Sequence, residues 1–528
     1  MRNALFTTIA SLCILVAGCT KTEQSNPLKD DGHLSENSSG LRLNAIGDYK
    51  NYHLTSYETG KTGQIADFSL DNGGRASVGD YKDEPHQKWR ITRASNAYYK
   101  IMNMGSGKYL EAYINKGVPI LVQASSREVD GQLWQITVTE GKRYKVISKS
   151  TGLAITSQGV GTVKLTAFAD KKTQEWGYTE LPPTSYRDDE VTRYFQRTTG
   201  TQAWDGNHSV HLTYGANKGK VLWITNDEFY NQLNASGKFR CYGTHLFFSK
   251  NNAAMLQPSV SNWDPAQTHN IFVTTKGKQY GEEVFHDFFG KVLWPTGVIE
   301  LNDKIIVSLV QVDGLTILDN KIGIIDQDDN TSTVITVPGY SGQTEIEYSV
   351  GFFKDGDYAY VYGKDRKPNL YVARFALNNP TKWTFWDGKQ WAARPSAASA
   401  ARVLNNLPSG AISVSKVNGK YVVVGADFGF FCNGGRNFYS WTSAAPNAAF
   451  ANKRVIFKRT DYKQGILPVF YTPVIHPQFN NGKNELLVTY CVNYYGGCIE
   501  NCPSNSGGVD PDGYRPKAFR VPYSLIGL

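Results

Sequence analysis

Acids placed where strands end are the side chains of this sequence best suited to do chemistry. Val221-Leu222-Trp223-Ile224-Thr225 reads as an apolar strand that runs through Asn226 into two acids, Asp227 and Glu228. Upstream stands Asp205-Gly206-Asn207-His208-Ser209-Val210, and far downstream Ile346-Glu347-Tyr348-Ser349. Paired carboxylates can divide acid and base work, one giving a proton and the other taking one, if burial or a neighbouring charge lifts the donor's pKa. Asp205 and Asp227 are candidates for such a pair, and Glu347 is a candidate proton donor. Each also has a plain reading: Asp205-Gly206 as a turn, Asp227 and Glu228 as turn acids, and Glu347 as an exposed strand position. No P-loop, HExxH set, nucleophile elbow or dinucleotide fingerprint occurs, so neither a cofactor nor a metal is expected.

The elements that would hold these acids are strands. Beyond the linker 183–185, residues 186–528 show apolar runs between turn signals and little helical periodicity. Lys220 to Thr225, Lys304 to Gln311, Tyr358 to Tyr362, Leu370 to Phe375, Lys420 to Gly425 and Glu485 to Tyr490 are examples. Turns such as Leu301-Asn302-Asp303 and Val417-Asn418-Gly419 precede them. At about four strands per blade, this length suits a five-bladed β-propeller.

Residues 43–182 carry a different signature. Gln87-Lys88-Trp89, Gln132-Leu133-Trp134 and Gln174-Glu175-Trp176 repeat one Gln-x-Trp element at near-equal spacing, which predicts three related units. In the second unit Tyr99-Lys100-Ile101, Tyr109-Leu110-Glu111-Ala112, Val118 to Gln123 and Gln132 to Ile136 read as four short strands around the turn Ser106-Gly107-Lys108. The third repeats the pattern and the first is more degenerate. The expected fold class is all-β: an N-terminal β-trefoil followed by the propeller.

The Gln-x-Trp units resemble the ricin-type β-trefoil, the lectin fold that includes carbohydrate-binding module family 13. In that family a working unit pairs an acid with an aromatic ring, for sugar hydroxyls and the apolar sugar face. Glu111 matches the acidic position of the second unit, without a clear ring. The third has Thr156 there and Phe168 later. The first offers Asp67, if a gap is allowed, with Tyr81 as its ring. No unit is complete, so sugar binding and simple positioning of the neighbouring domain both stay open.

Taken in order, Asp205-Gly206, the Val221–Phe229 strand, Leu293-Trp294-Pro295-Thr296-Gly297, Tyr371-Val372-Ala373-Arg374-Phe375, Trp383 to Trp391 and His476-Pro477-Gln478-Phe479 resemble domains of unknown function 5005 and 4185. These look like five-bladed propellers related to glycoside hydrolase families 43 and 32. The resemblance implies cleavage of a polysaccharide, with a furanose polymer such as arabinan as one candidate, by two carboxylates across the scissile bond. Asp227 falls on the family's acidic motif and Asp205 on its upstream Asp-Gly. It also implies substrate contacts from Glu228, His269, His476 and Asn493 and a stacking surface at Trp294. A structural His and a buried Trp are the competing readings, and the tryptophans Trp383, Trp386 and Trp391 read as blade packing. Where related domains carry a Gly-Asp, this chain has Thr296, which leaves glycan binding without cleavage as the alternative.

Residues 1–19 read as a lipoprotein signal: Arg2, an apolar stretch from Ala4 to Val16, and the lipobox Val16-Ala17-Gly18-Cys19, with Cys19 as the lipidated residue. Residues 20–42 read as a flexible tether. The expected setting is the bacterial cell envelope, lipid-anchored at the outer membrane with the cell surface as one candidate and the membrane face left open, as a monomer. An anchored structural protein with no glycan role is a third alternative. The net charge of +9 is dispersed over 528 residues, which speaks against a nucleic-acid partner and leaves an oligo- or polysaccharide and the membrane as partners. Of the later cysteines, Cys491, Cys498 and Cys502 cluster in one region, where a local disulfide is expected over a zinc site. Cys241 and Cys432 stand apart.

Overall fold

The computed structural model describes residues 46–139, 143–159, 161–241, 246, 251–286, 290–394, 400–427, 431–499, 502 and 507–528. The lipobox with Cys19 lies outside them. Among the described residues no helix is long and apolar enough to cross a membrane.

The first domain is a twelve-stranded β-trefoil running from Lys50–Ser56 to Trp176–Leu181, which pair to close it. The Gln-x-Trp element explains itself physically. Each Gln ends a short 3-10 turn (Pro85–Gln87, Asp130–Gln132, Lys172–Gln174) and each Trp starts the strand that follows. The three indoles are buried together in one core, and each donates its N–H to a backbone carbonyl of its own unit: Gly63 at 2.9 Å, Leu110 at 3.0 Å and Ile155 at 3.1 Å. Each Gln clamps the loop before it, accepting from Lys82, Arg127 or Ala169 N–H and donating to Asp80, Ser125 or Ala167 carbonyl.

The second domain is a five-bladed propeller. The blades begin with the inner strands His208–His211, Val292–Leu301, Glu347–Asp355, Ile412–Val417 and Val469–His476. The fifth blade is completed by Glu485–Asn493, Lys517–Pro522 and, as its outermost strand, Tyr186–Arg187 from the start of the domain. This closure joins the two ends of the propeller, so the ring resists opening. Trp383 is buried and Trp386 pairs with Trp391 across a hairpin, the packing role expected of them.

The cysteines depart from the expected local pairing. Cys241 bonds Cys502 and Cys432 bonds Cys498, while Cys491 is free and buried. Cys491 sits in the second strand of blade five, opposite Tyr471, and is committed to the interior. Cys498 and Cys502 lie past that strand's end and reach loops of blades four and one.

Trefoil and propeller are fastened by buried charges. Arg90 bonds Glu485 at 2.9 Å between the rings of Tyr49 and Tyr186, with side-chain exposures of 4% and 2%. Lys108 pairs with Asp189, and Arg187, which bonds the trefoil carbonyl of Gly105, pairs with Asp461. The turn Ser106-Gly107-Lys108 is the contact itself. Gly107 has φ +73°, and a Cβ there would lie 2.3 Å from the carbonyl oxygen of Arg187.

Candidate functional site

Every blade starts with its inner strand, so the inner strands all enter at one end of the axis, the mouth, and second strands return to it. The hairpin His208–His211 and Val221–Thr225 therefore brings Asp205, just before the first strand, and Asp227, just after the second, to the same place. Their backbones are cross-linked: Asp205 N–H donates to Asp227 carbonyl at 3.1 Å, and Asn226 N–H to Asp205 carbonyl at 2.8 Å. The turn between them needs Gly206, with φ +61°, where a Cβ would meet Asn226 Cγ at 2.3 Å.

Side chains from other blades hold the carboxylates. Asp205 Oδ2 accepts from the hydroxyls of Tyr471 at 2.9 Å and Tyr514 at 2.7 Å, both on blade five. Asp227 Oδ1 accepts from the indole N–H of Trp294, on the inner strand of blade two, at 2.9 Å. Both acids are deeply set yet keep some accessible surface, as acids on the floor of a concavity do. Burial, followed by the charge of Asp227, pushes the Asp205 carboxyl well above the usual carboxylate range, against the hydrogen bonds of Tyr514 and Tyr471. Burial raises Asp227 too, and Trp294 offsets part of this. The two carboxyls titrate as a pair, so one proton stays available to them at pH values where an ordinary Asp has lost its own. At the same end, Asn207 Nδ2, Asn226 Oδ1 and Asn493 Oδ1 are buried atoms without a hydrogen-bond partner among the described residues.

Below the mouth the axis narrows to a cavity of about 60 Å³ lined by His208, Ser209, Thr296, Ser349, Ser413 and Thr472, one or two from each blade. Burial pushes His208 down to about 4, so its ring is neutral there. Thr296 bonds Ser308 and brings no charge to the mouth.

The other candidates are engaged by protein groups or lie away from the mouth. Glu347 begins the inner strand of blade three at the mouth, but it is tied to Lys364 at 2.9 Å and to the Ser349 hydroxyl, and no hydrogen bond or ion pair joins it to Asp205 or Asp227. Glu228 has no exposed surface and bonds Thr201, so it has nothing to offer a bound sugar. His269 sits on the outermost strand of blade one, away from the axis. His476 is buried at the far end of its inner strand, between the hydroxyls of Ser209 at 2.7 Å and Thr489 at 2.8 Å, where it serves packing. Sequence reasoning missed Tyr471 and Tyr514. Nothing local marks them, since blade closure alone brings residue 514 to residue 205.

Glu228 yields a pH prediction. Burial pushes its carboxyl from 4.5 up to about 8, the Thr201 hydrogen bond opposing and Glu282 adding to the rise. A raised folded-state pKa contributes stability that is complete below the unfolded value and is lost as pH climbs through the folded one. Glu228→Gln keeps the neutral shape and removes that loss. Urea unfolding should find the variant about 2–4 kcal/mol more stable than the parent at pH 9 and nearly equal at pH 4.5.

The trefoil pockets can be compared through their Gln clamps. The Gln side chain reaches Gln64 at 2.8 Å in the first unit, Glu111 at 2.9 Å in the second and Thr156 at 3.2 Å in the third. Gln64 therefore holds the position expected for Asp67, which lies in a tight turn with φ 55°. The residue before each clamped N–H is Tyr81, Ser126 and Phe168. Tyr81 is exposed and stacks on His53 at 4.5 Å. Glu111 is buried and paired with Arg127. Lys145 lies over the Phe168 ring at 4.2 Å.

Comparison with known proteins follows these two halves. Residues 188–523 match the family model of domain of unknown function DUF5005. Residues 42–123 and 85–170 match the ricin-type beta-trefoil lectin domain-like model. No curated protein matches the chain. Among solved structures, a "putative hydrolase" from Bacteroides ovatus ATCC 8483 is 17% identical over 64% of this chain and 90% of its own, with a TM-score of 0.49. The designed 3-fold symmetric protein ThreeFoil is 23% identical over 25% of this chain and 99% of its own, with a TM-score of 0.24. The exo-beta-1,3-galactanase 1,3Gal43A from Clostridium thermocellum is 24% identical over 26% of this chain and 31% of its own, with a TM-score of 0.24.

Proposed function

The chain belongs to the DUF5005 family, and from that premise we propose that it is a glycan-hydrolysing protein held at the bacterial envelope by a lipid on Cys19. Its propeller mouth is the cleavage site and its lectin-like trefoil a substrate-retaining module. One observation carries the reading: Asp205 and Asp227 are locked together at the mouth with both titrations raised. In this reading the neutral member, Asp205, protonates the leaving oxygen, and ionised Asp227 activates water or attacks the anomeric carbon. Trp294 fixes Asp227 and borders the sugar, and the partly exposed amides of Asn226 and Asn493 meet its hydroxyls. Glu347 remains a third carboxylate at this mouth, outside the proton-transferring pair because Lys364 and Ser349 engage it. The test is the release of new reducing ends from arabinan, arabinogalactan and xylan by the full chain; no release from any glycan it binds would defeat the reading. Labelling with a fatty-acid analogue in a bacterial host tests the anchor, which must be lost in Cys19→Ala.

The trefoil contributes through its first unit, where an exposed ring stands beside an amide, whereas Arg127 engages Glu111 in the second unit and Lys145 covers Phe168 in the third. Retention raises the local concentration of a polymer at the mouth. Loss of one stacking ring weakens sugar binding by about 1 kcal/mol. Tyr81→Ala is therefore expected to lower affinity for a polymeric glycan about fivefold in affinity electrophoresis and to leave turnover of a short oligosaccharide unchanged.

A further inference from the structure

A cleft of about 560 Å³ lies at the junction of the two domains, at the end of the propeller opposite the mouth. Its trefoil wall is Tyr49 to Asn51 with Arg90 and the stretch 180–183; its propeller wall is Asn418, 483–485 and 522–524. Of the three side-chain cations in this lining, two are paired with carboxylates of the same lining. Lys50 is paired with Glu180 at 2.9 Å, and Arg90 with Glu485 at 2.9 Å. Glu485 also accepts from Tyr49, Tyr186 and Asn481, so its capacity is spent. That leaves Lys483, whose ammonium lies 4.9 Å from the Tyr49 ring centroid and pairs with no carboxylate among the described residues. Around it, Asn418, Asn484 and Ser524 are exposed polar side chains, and Tyr523 presents a partly exposed ring.

We propose that this cleft is a second binding site, for an oligosaccharide bearing a carboxylate. The lone ammonium reads the acid, the two amides and the serine hydroxyl reach ring hydroxyls, and Tyr523 covers an apolar sugar face. The volume admits two or three sugar rings on the usual scale of ligand sites. The buried Arg90–Glu485 floor fixes both walls, so the cleft is formed before the ligand arrives. The site is separate from the mouth and does not depend on the acid pair there.

Titration calorimetry of the full chain with trigalacturonate and with its neutral counterpart galactotriose tests this. The acidic sugar is expected to bind at least tenfold more tightly, Lys483→Met to bring its affinity down to that of the neutral one, and Asp227→Asn to leave both unchanged. Lys483 is exposed, so its replacement does not endanger folding. Absence of trigalacturonate binding, equal binding by Lys483→Met and the parent, or loss of binding in Asp227→Asn would each overturn the proposal.

Discussion

Replacing Asp227 by Asn is expected to lower kcat for glycan hydrolysis about 10³-fold while changing KM less than about threefold. The amide has the shape of the carboxylate and can still accept the Trp294 indole N–H, so the mouth keeps its form. What goes is the charge, and with it the group that activates water or attacks carbon. A second consequence has a definite sign. The Asp227 charge is one of the two causes that raise Asp205, after burial. If Asp205 acts in its protonated form, the rate falls as pH climbs through its pKa. In the parent that alkaline limb lies well above the usual carboxylate range. In Asp227→Asn the residual rate should lose activity at a lower pH, because Asp205 releases its proton more readily beside a neutral neighbour. A limb that stays in place would separate Asp227 from the proton on Asp205.

The second large effect concerns the clamp between domains. Arg90→Met is expected to cost about 3–5 kcal/mol in urea unfolding, because it strands the Glu485 carboxylate in an interior site. The double variant Arg90→Met, Glu485→Leu should recover most of that loss, since apolar groups can fill the space of a removed ion pair. The same variant reports on mechanics. Arg90 and Arg187 bind the trefoil to the last blade, whose outer strand is Tyr186–Arg187, directly after the linker, and Lys108 binds it to the helix Asp189–Tyr194 that follows. Trypsin should therefore cut between residues 182 and 193 faster in Arg90→Met than in the parent or the double variant. Equal rates would show that the remaining pairs suffice.

The trefoil was legible because its signal is periodic and local. A Gln that must clamp the preceding loop and a Trp that must reach its own unit's backbone leave the same triplet three times. The propeller was legible as strands and turns, since Asn302 and Asn418 take the left-handed backbone their hairpins need. The acids at Asp205 and Asp227 were visible for a similar reason: they flank one hairpin and its turn. Their supports were not. Trp294, Tyr471 and Tyr514 reach them across 67, 266 and 309 residues, through blade order and ring closure. The disulfides failed in the same way, since Cys502 finds Cys241 across 261 residues while its near neighbour Cys491 faces the core. His269 and His476 misled because chemistry alone does not distinguish an outer strand or a buried end from the mouth. Asp67 misled by three positions, because a strand end and a turn acid look alike until the Gln87 clamp shows which residue it holds.

Binding and cleavage of one glycan, measured side by side on the parent and on the Asp205→Asn, Asp227→Asn double variant, test the central claim most directly. The double variant should bind the substrate within about threefold of the parent and release reducing ends at least about 10³-fold more slowly. A parent that binds but never cleaves, or a double variant that cleaves at the parent's rate, would contradict the assignment of hydrolysis to this pair of acids.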